Sequence, residues 1–260
     1  MTITIKYPLM CICLFMMSEE KLFGQTLSPI QTDRPDQTEC PAIVPKGYFQ
    51  MENGMSYENE NDDVRSYCLP SSLLKFGINN KVELRLITEL LYTRYQLKNN
   101  FGISPLTLGF KVKLSEENGI VPQASFIGHL ASPNLASHDL KTSYFAPSFR
   151  FVMSNTLSKK VTLGYNLGAE WEGETAEPTF IYTITTGFSL SQKAGAYIEA
   201  FGFIPQKNKA EHKVDGGFTY LVSDNFLLDI SSGIALEKHE WEYYISAGFS
   251  FRFNAFSLKK

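Results

Sequence analysis

The sequence predicts an all-β protein: a transmembrane antiparallel up-and-down β-barrel of about twelve strands, with an N-terminal signal peptide. Three observations predict it. Long runs alternate apolar and polar side chains with a period of two, as strands with two different faces do. Short turns and longer polar connections roughly alternate between those runs, as periplasmic turns and extracellular loops do. The chain also begins with a leader suited to export.

The leader carries Lys6 and the apolar core Pro8 to Met17 (PLMCICLFMM), followed by SEEKLFGQ. That core falls short of the ~20 residues a spanning helix needs, so residues 1–25 read as a signal peptide cleaved near Gly24 or Gln25. A short N-terminal anchor is the other reading. Residues 26–45 hold Pro29, Pro35, Pro41 and Pro45, too many for a ladder-forming strand. Two readings of this segment stand side by side. One is a flexible periplasmic tail. The other is a partial plug in which Asp33, Arg34 and Asp36 fold into the lumen and Arg34 meets lumenal carboxylates.

The barrel is expected over residues 46–253, with a short tail at 254–260. The first run is Tyr48 to Glu58, with Phe49, Met51, Met55 and Tyr57 on one parity. Ser66 to Ile78 follows and turns at Asn79-Asn80-Lys81. In Val82 to Tyr95, Leu84, Leu86, Leu90 and Tyr92 alternate with Glu83, Arg85, Ile87 and Glu89. After a polar loop at 96–103 come Ser104 to Leu114, Val121 to Ala131, and Ser143 to Met153. The remaining runs are Val161 to Trp171, Thr179 to Leu190, Ala194 to Ile204, His212 to Val222, Phe226 to Leu236 and Trp241 to Phe253. The last is about twice the usual globular strand length and suits a tilted bilayer-crossing strand of ~9–11 residues. Its spaced ending, Ser246, Gly248, Phe251 and Phe253, resembles the assembly signal of outer-membrane barrels. An even strand count places both termini on the periplasmic side, and closure of the last run on the first leaves no exposed edge. A soluble β-barrel with its apolar parity inward is the competing fold.

Twenty Phe and thirteen Tyr against two Trp suit a strand-rich chain. A formal charge of −3 lacks the basic excess of a nucleic-acid binder, and removing residues 1–25 leaves it unchanged because Lys6 and Lys21 balance Glu19 and Glu20. Of the cysteines, Cys40 and Cys68 remain after processing. If Leu74, Phe76 and Ile78 face lipid, parity sends Cys68 outward too, away from a lumenal Cys40, which favours two separate thiols over a disulfide.

The lumenal parity offers Glu83, Arg85, Glu89, Lys111, Lys113, Arg150, Glu170, Glu199, Asp215, Asp229 and Arg252. Inward charges of both signs pair across strands, set selectivity or hold a plug. Arg85, Arg150 and Arg252 are the natural nodes, because a guanidinium binds carboxylates in bidentate fashion. No G-x-S-x-G, Walker A, H-E-x-x-H or C-x-x-C pattern occurs, so neither an enzyme nor a cofactor is expected. Ser125 or Ser132 with His129 could form a crude catalytic pair, without an evident acid. His212 with Glu211, and His239 with Glu237 and Glu240, sit at expected loop tips; solvated tips are favoured there over metal sites.

The stretches QTDRPDQTECPAIVPKGYF (31–49), PSSLLKFGINNKVELRL (70–86) and YLVSDNFLLDISSGIAL (220–236) resemble a bacterial outer-membrane family labelled as meta-pathway phenol-degradation proteins and called transporters. The resemblance spans essentially the whole mature chain and is most specific at Asp33-Arg34-Pro35-Asp36. It implies an integral outer-membrane barrel that passes small molecules, aromatic ones among them. The expected partners are outer-membrane lipid, the barrel assembly machinery and a small solute. A non-transporting structural barrel and a lipid-modifying barrel enzyme are the alternatives.

Overall fold

A computed structural model describes residues 27–60, 63–96, 98–236 and 242–256. The expected signal peptide, residues 257–260 of the tail, and the Glu237, His239 and Glu240 group lie outside the described residues.

The described residues form strands β1 (Tyr48–Asn59), β2 (Val64–Asn79), β3 (Val82–Tyr95), β4 (Lys98–Ile103), β5 (Thr107–Ser115), β6 (Gln123–Ala131) and β7 (Ala146–Ser158). They continue with β8 (Val161–Glu170), β9 (Thr179–Ser189), β10 (Ala194–Pro205), β11 (Glu211–Ser223), β12 (Phe226–Ala235) and β13 (Tyr243–Asn254). Each pairs antiparallel with its neighbours, and β13 closes on β1 from Asn254 opposite Tyr48 to Tyr243 opposite Asn59. Two of the thirteen are halves of one stave. β4 pairs with Leu90–Tyr95 and β5 with Val82–Ile87 of the same strand β3. The barrel therefore has twelve staves.

The expected polar loop at 96–103 is corrected here, because most of it is β4. Lys98, Asn99 and Asn100 have weak strand preference, but the long outer end of β3 requires a hydrogen-bonding partner, which β4 supplies. The turn expected from Ser154 to Lys160 shrinks for the same reason, as β7 runs on to Ser158 against β8. His212 and Glu211, expected at a loop tip, lie in β11 opposite Gly202 and Phe203.

Burial is inverted relative to a water-soluble protein. Glu83, Lys111, Glu52 and Gln50 are at most 1% exposed, whereas Leu84, Leu108, Ile198, Phe218 and Ile230 are 50–61% exposed. Polar groups face the inside and apolar side chains form the outer surface, which suits lipid and rules against the soluble alternative. Aromatics mark both rims. The Tyr57 ring packs at a tilt against Tyr67 at 4.9 Å and lies 6.0 Å from Tyr243, while Phe49 meets Phe253 at 5.4 Å at the other end. The interior also has an apolar share: Ile127, Val152, Ile181 and Phe201 are at most 4% exposed.

A β-bulge corrects the orientation of Cys68. Between Cys68 and Ser71 the register of β2 against β3 gains a residue, which flips side-chain parity beyond it. Cys68 thus shares the inward side with Ser56 and Glu89, although Leu74 and Phe76 do face outward. Cys40 and Cys68 are nonetheless both free thiols. In denaturant without reductant, both should react with a thiol reagent; reactivity gained only after reduction would contradict this arrangement.

Candidate functional site

Residues 27–46 enter the barrel rather than hang from it. The segment starts beside the β11–β12 turn, where the Ile30 amide donates to Asp224 O at 2.8 Å. It rises to an apex near Asp36 and Gln37, then descends to Gly47, whose amide donates to Gly77 O at 2.8 Å. Four prolines keep it from joining a ladder, so its backbone groups need other partners once buried.

Lumenal side chains supply those partners, sorted by charge. Carboxylates and amides accept from the segment's N–H groups. Glu52 takes Asp33 N and Arg34 N at 2.9 and 3.1 Å, and Glu199 takes Gln37 N and Thr38 N at 2.7 and 2.8 Å. Asn166 takes Glu39 N at 2.7 Å and Glu83 takes Val44 N at 2.8 Å. Donors go to the segment's carbonyls: Lys111 to Cys40, Ser125 to Pro41, Arg150 to Gln37 and Arg252 to Ser28, at 2.6–2.9 Å.

At the centre lies Asp33, 7% exposed. Lys75, Arg85 and Lys111, from β2, β3 and β5, reach it at 2.8, 3.0 and 2.9 Å. Lys75 also pairs with Glu52, and Arg85 with Glu39 at 2.7 Å. Burial alone would raise the Asp33 carboxyl; Lys111, Lys75 and Arg85 override it and hold the group well below the usual carboxylate range. Asp33 Oδ1 also accepts from Cys40 N at 2.9 Å, tying the rising limb to the descending one.

Arg34 turns to the other side of the lumen. Its Nη2 meets Asp229 at 2.8 Å and Ser246 Oγ at 2.9 Å. Gly54 and Gly248, paired across β1 and β13, form the slot it occupies. A Cβ on Gly54 would overlap the guanidinium, and one on Gly248 would lie 2.6 Å from Nε.

The structure thus brings Asp33, Arg34, Glu83, Arg85, Lys111, Arg150, Glu199, Asp229 and Arg252 to one segment-holding network. Glu89 stands apart, accepting from Ser71 and Ser104 at 3.2 and 3.4 Å, and Lys113 pairs with Glu116 at a turn. Glu170 faces inward at the far end of β8. Asp36 lies at the apex, where burial and the nearby charge of Asp215 push its carboxyl up to about 8. Asp215 accepts from Tyr197 at 3.3 Å and from Tyr244. Sequence reasoning missed Lys75, Glu52, Asn166 and Thr38 as members. A lysine between outward Leu74 and Phe76 was the available signal for Lys75.

Ser125 and His129 do not form a catalytic pair. They flank Ile127 on one inner face, and the Ser125 hydroxyl is committed to Pro41 O at 2.6 Å. His212 bonds the Tyr182 hydroxyl at 2.7 Å. Cavities border the segment among the described residues. One of about 370 Å³ is lined by Ser28, Gln31, Lys75, Lys113 and Arg252; one of about 410 Å³ lies against β7–β11.

The family model described as "Putative MetA-pathway of phenol degradation" matches residues 32–253. Among solved structures, an outer-membrane channel from Pseudomonas putida F1 aligns with TM-score 0.62 at 11% identity, covering 82% of this chain and 97% of that one. The KdgM porin in complex with disordered oligogalacturonate aligns at 0.54 and 10%, covering 79% and 99%. The NanC porin aligns at 0.53 and 8%, covering 77% and 98%. At such identities these likenesses are to the fold. No curated protein sequence matches the chain.

Removing one member of a buried charge cluster leaves its partners uncompensated, at a cost of about 3–5 kcal/mol. Asp33→Asn should therefore loosen the segment, as should Gly54→Leu by evicting Arg34. Proteinase K should then cut within residues 27–46 while the strands stay protected; wild-type protection in both variants would contradict the network's role.

Proposed function

The chain belongs to that phenol-degradation family, and from this premise we propose that it is an integral outer-membrane barrel passing small solutes by passive diffusion, with residues 27–46 as its plug. The observation that carries the reading is how the segment is held. It joins no strand ladder; individual side chains hold it, with Glu52, Glu83, Glu199, Lys111 and Arg150 each gripping backbone groups. Such bonds can be exchanged for bonds to water one after another, which a ladder resists. The polar cavities beside the segment give water a place to enter.

The outward apolar band is the surface for outer-membrane lipid, and the aromatic end of β13 is the element for the barrel assembly machinery to engage. The family description supports small aromatic compounds as solutes. The likeness to a porin holding oligogalacturonate supports a lumen of this construction accepting polar ones. In this reading the solute moves down its own gradient.

A second reading, a structural barrel with no transport, is favoured by the depth of the Asp33 cluster, whose members are nearly all enclosed. Planar-bilayer conductance separates the two. Deleting residues 26–40 should raise single-channel conductance several-fold over the intact chain. Unchanged conductance would sink the plug and favour the structural barrel.

A further inference from the structure

The charges around the segment are unevenly matched. Lys75, Arg85 and Lys111 face Asp33, Glu39, Glu52 and Glu83, and Arg34 faces Asp229. Lys213 is taken by Glu58 and Glu242, at 2.9 and 2.5 Å. Three further carboxyls, Asp36, Glu199 and Asp215, form no ion pair among the described residues; Asp36 has the Thr185 hydroxyl beside it, and Asp215 lies beside Glu199. Glu199 receives Gln37 N, Thr38 N and the Thr38 hydroxyl. Asp215 receives the Tyr197 and Tyr244 hydroxyls. Glu199 and Asp215 stand directly opposite in the β10–β11 register, where like charges destabilise a sheet.

A second observation points to something polar arriving there. Asp215 Oδ1 and Ser231 Oγ make no well-formed hydrogen bond although these residues are only 8% and 5% exposed; Asp215 has Glu199 beside it, and Ser231 has the Tyr197 and Tyr244 hydroxyls. Below them lies the 410 Å³ cavity, whose ceiling includes Asp36 and Thr38 and whose wall carries Tyr197. The same wall presents Thr162, Thr185 and Thr219 among Gly164, Gly187 and Gly195. Gly187 and Gly195 leave the Thr162 and Thr219 hydroxyls uncovered: a Cβ on Gly187 would lie 2.7 Å from Thr162 Oγ1, and one on Gly195 the same distance from Thr219 Oγ1.

We propose that the solute path runs along this β7–β11 wall, and that Glu199 and Asp215, faced by Asp36 of the docked segment, form its selectivity site, admitting small hydroxylated neutral or cationic solutes and rejecting carboxylates. The inference rests on the channel reading above and names its solute class. Seated against the segment, the carboxyls are enclosed. In the conducting state water reaches them, and a concave acidic site repels anions. The hydroxyl-lined wall below offers donors and acceptors to a polyol at successive positions.

Reversal potentials in a KCl gradient at about pH 8 test this, where ordinary carboxylates are charged. They should be measured on the intact chain and on the chain lacking residues 26–40, each with and without Glu199→Gln plus Asp215→Asn. The potassium-to-chloride permeability ratio should exceed one and at least halve in the double variant. In liposome swelling, a neutral pentose should enter faster than its sugar acid, and the double variant should narrow that gap. Conductance with an anion preference, or a ratio and gap that the double variant leaves unmoved, would overturn the selectivity site alone. Absence of conductance from both the intact and the shortened chain would overturn the channel reading and this site with it.

Discussion

A single buried carboxylate organises the inside of this barrel. Asp33 sits where Lys75, Arg85 and Lys111 converge from three staves, and none of those cations could be enclosed without an anion between them. The requirement runs both ways. A proline-interrupted segment cannot be buried unless something accepts its amides and donates to its carbonyls, and Asp33 fixes the height at which Glu52, Glu83, Asn166 and Ser125 reach the right backbone groups. Lumenal charges that look like a solvating network in isolation are therefore a matched set of donors and acceptors for one particular piece of chain.

The same constraint explains the inverted surface. Interior polarity is concentrated where the segment needs it, and the buried apolar side chains of Ile127, Val152 and Phe201, with Ile30 and Val44 of the segment itself, make up the apolar share of the interior. The outer face, freed from any core-forming role, is apolar throughout its middle and aromatic at its rims. Asymmetry follows within the lumen. The staves that carry the charged anchors grip one side of the segment, and the threonine- and glycine-rich staves leave space on the other.

Much of this was legible in the sequence because a period of two is a strong signal when one face meets lipid. The alternation of Leu84, Leu86 and Leu90 with Glu83, Arg85 and Glu89 placed β3 correctly, and the prolines marked residues 26–45 as something other than a strand. The meeting of Arg34 with a lumenal carboxylate could be anticipated from charge, but the identity of that carboxylate, Asp229, could not, since it depends on register across the closure. Cys68 was misplaced because a bulge leaves no periodic trace of its own. β4 was hidden by its lysine and asparagines, whose preferences are overridden by the partner strand. The guanidinium slot at Gly54 and Gly248 is invisible without three dimensions, as both residues read simply as small members of the polar parity.

In the function proposed above, the segment closes the lumen by docking reversibly against the inner wall. Thr38 and Thr183 carry hydroxyls 2.6 Å apart, one on the segment and one on β9, close enough for a disulfide between cysteines at those positions. The most direct measurement is conductance of a Thr38→Cys, Thr183→Cys chain in which Cys40 and Cys68 are replaced by serine, recorded while oxidised and again after reduction. The account predicts that the oxidised protein stays closed and that reduction restores channel openings. Equal conductance in both states, with the disulfide confirmed by mass, would contradict it.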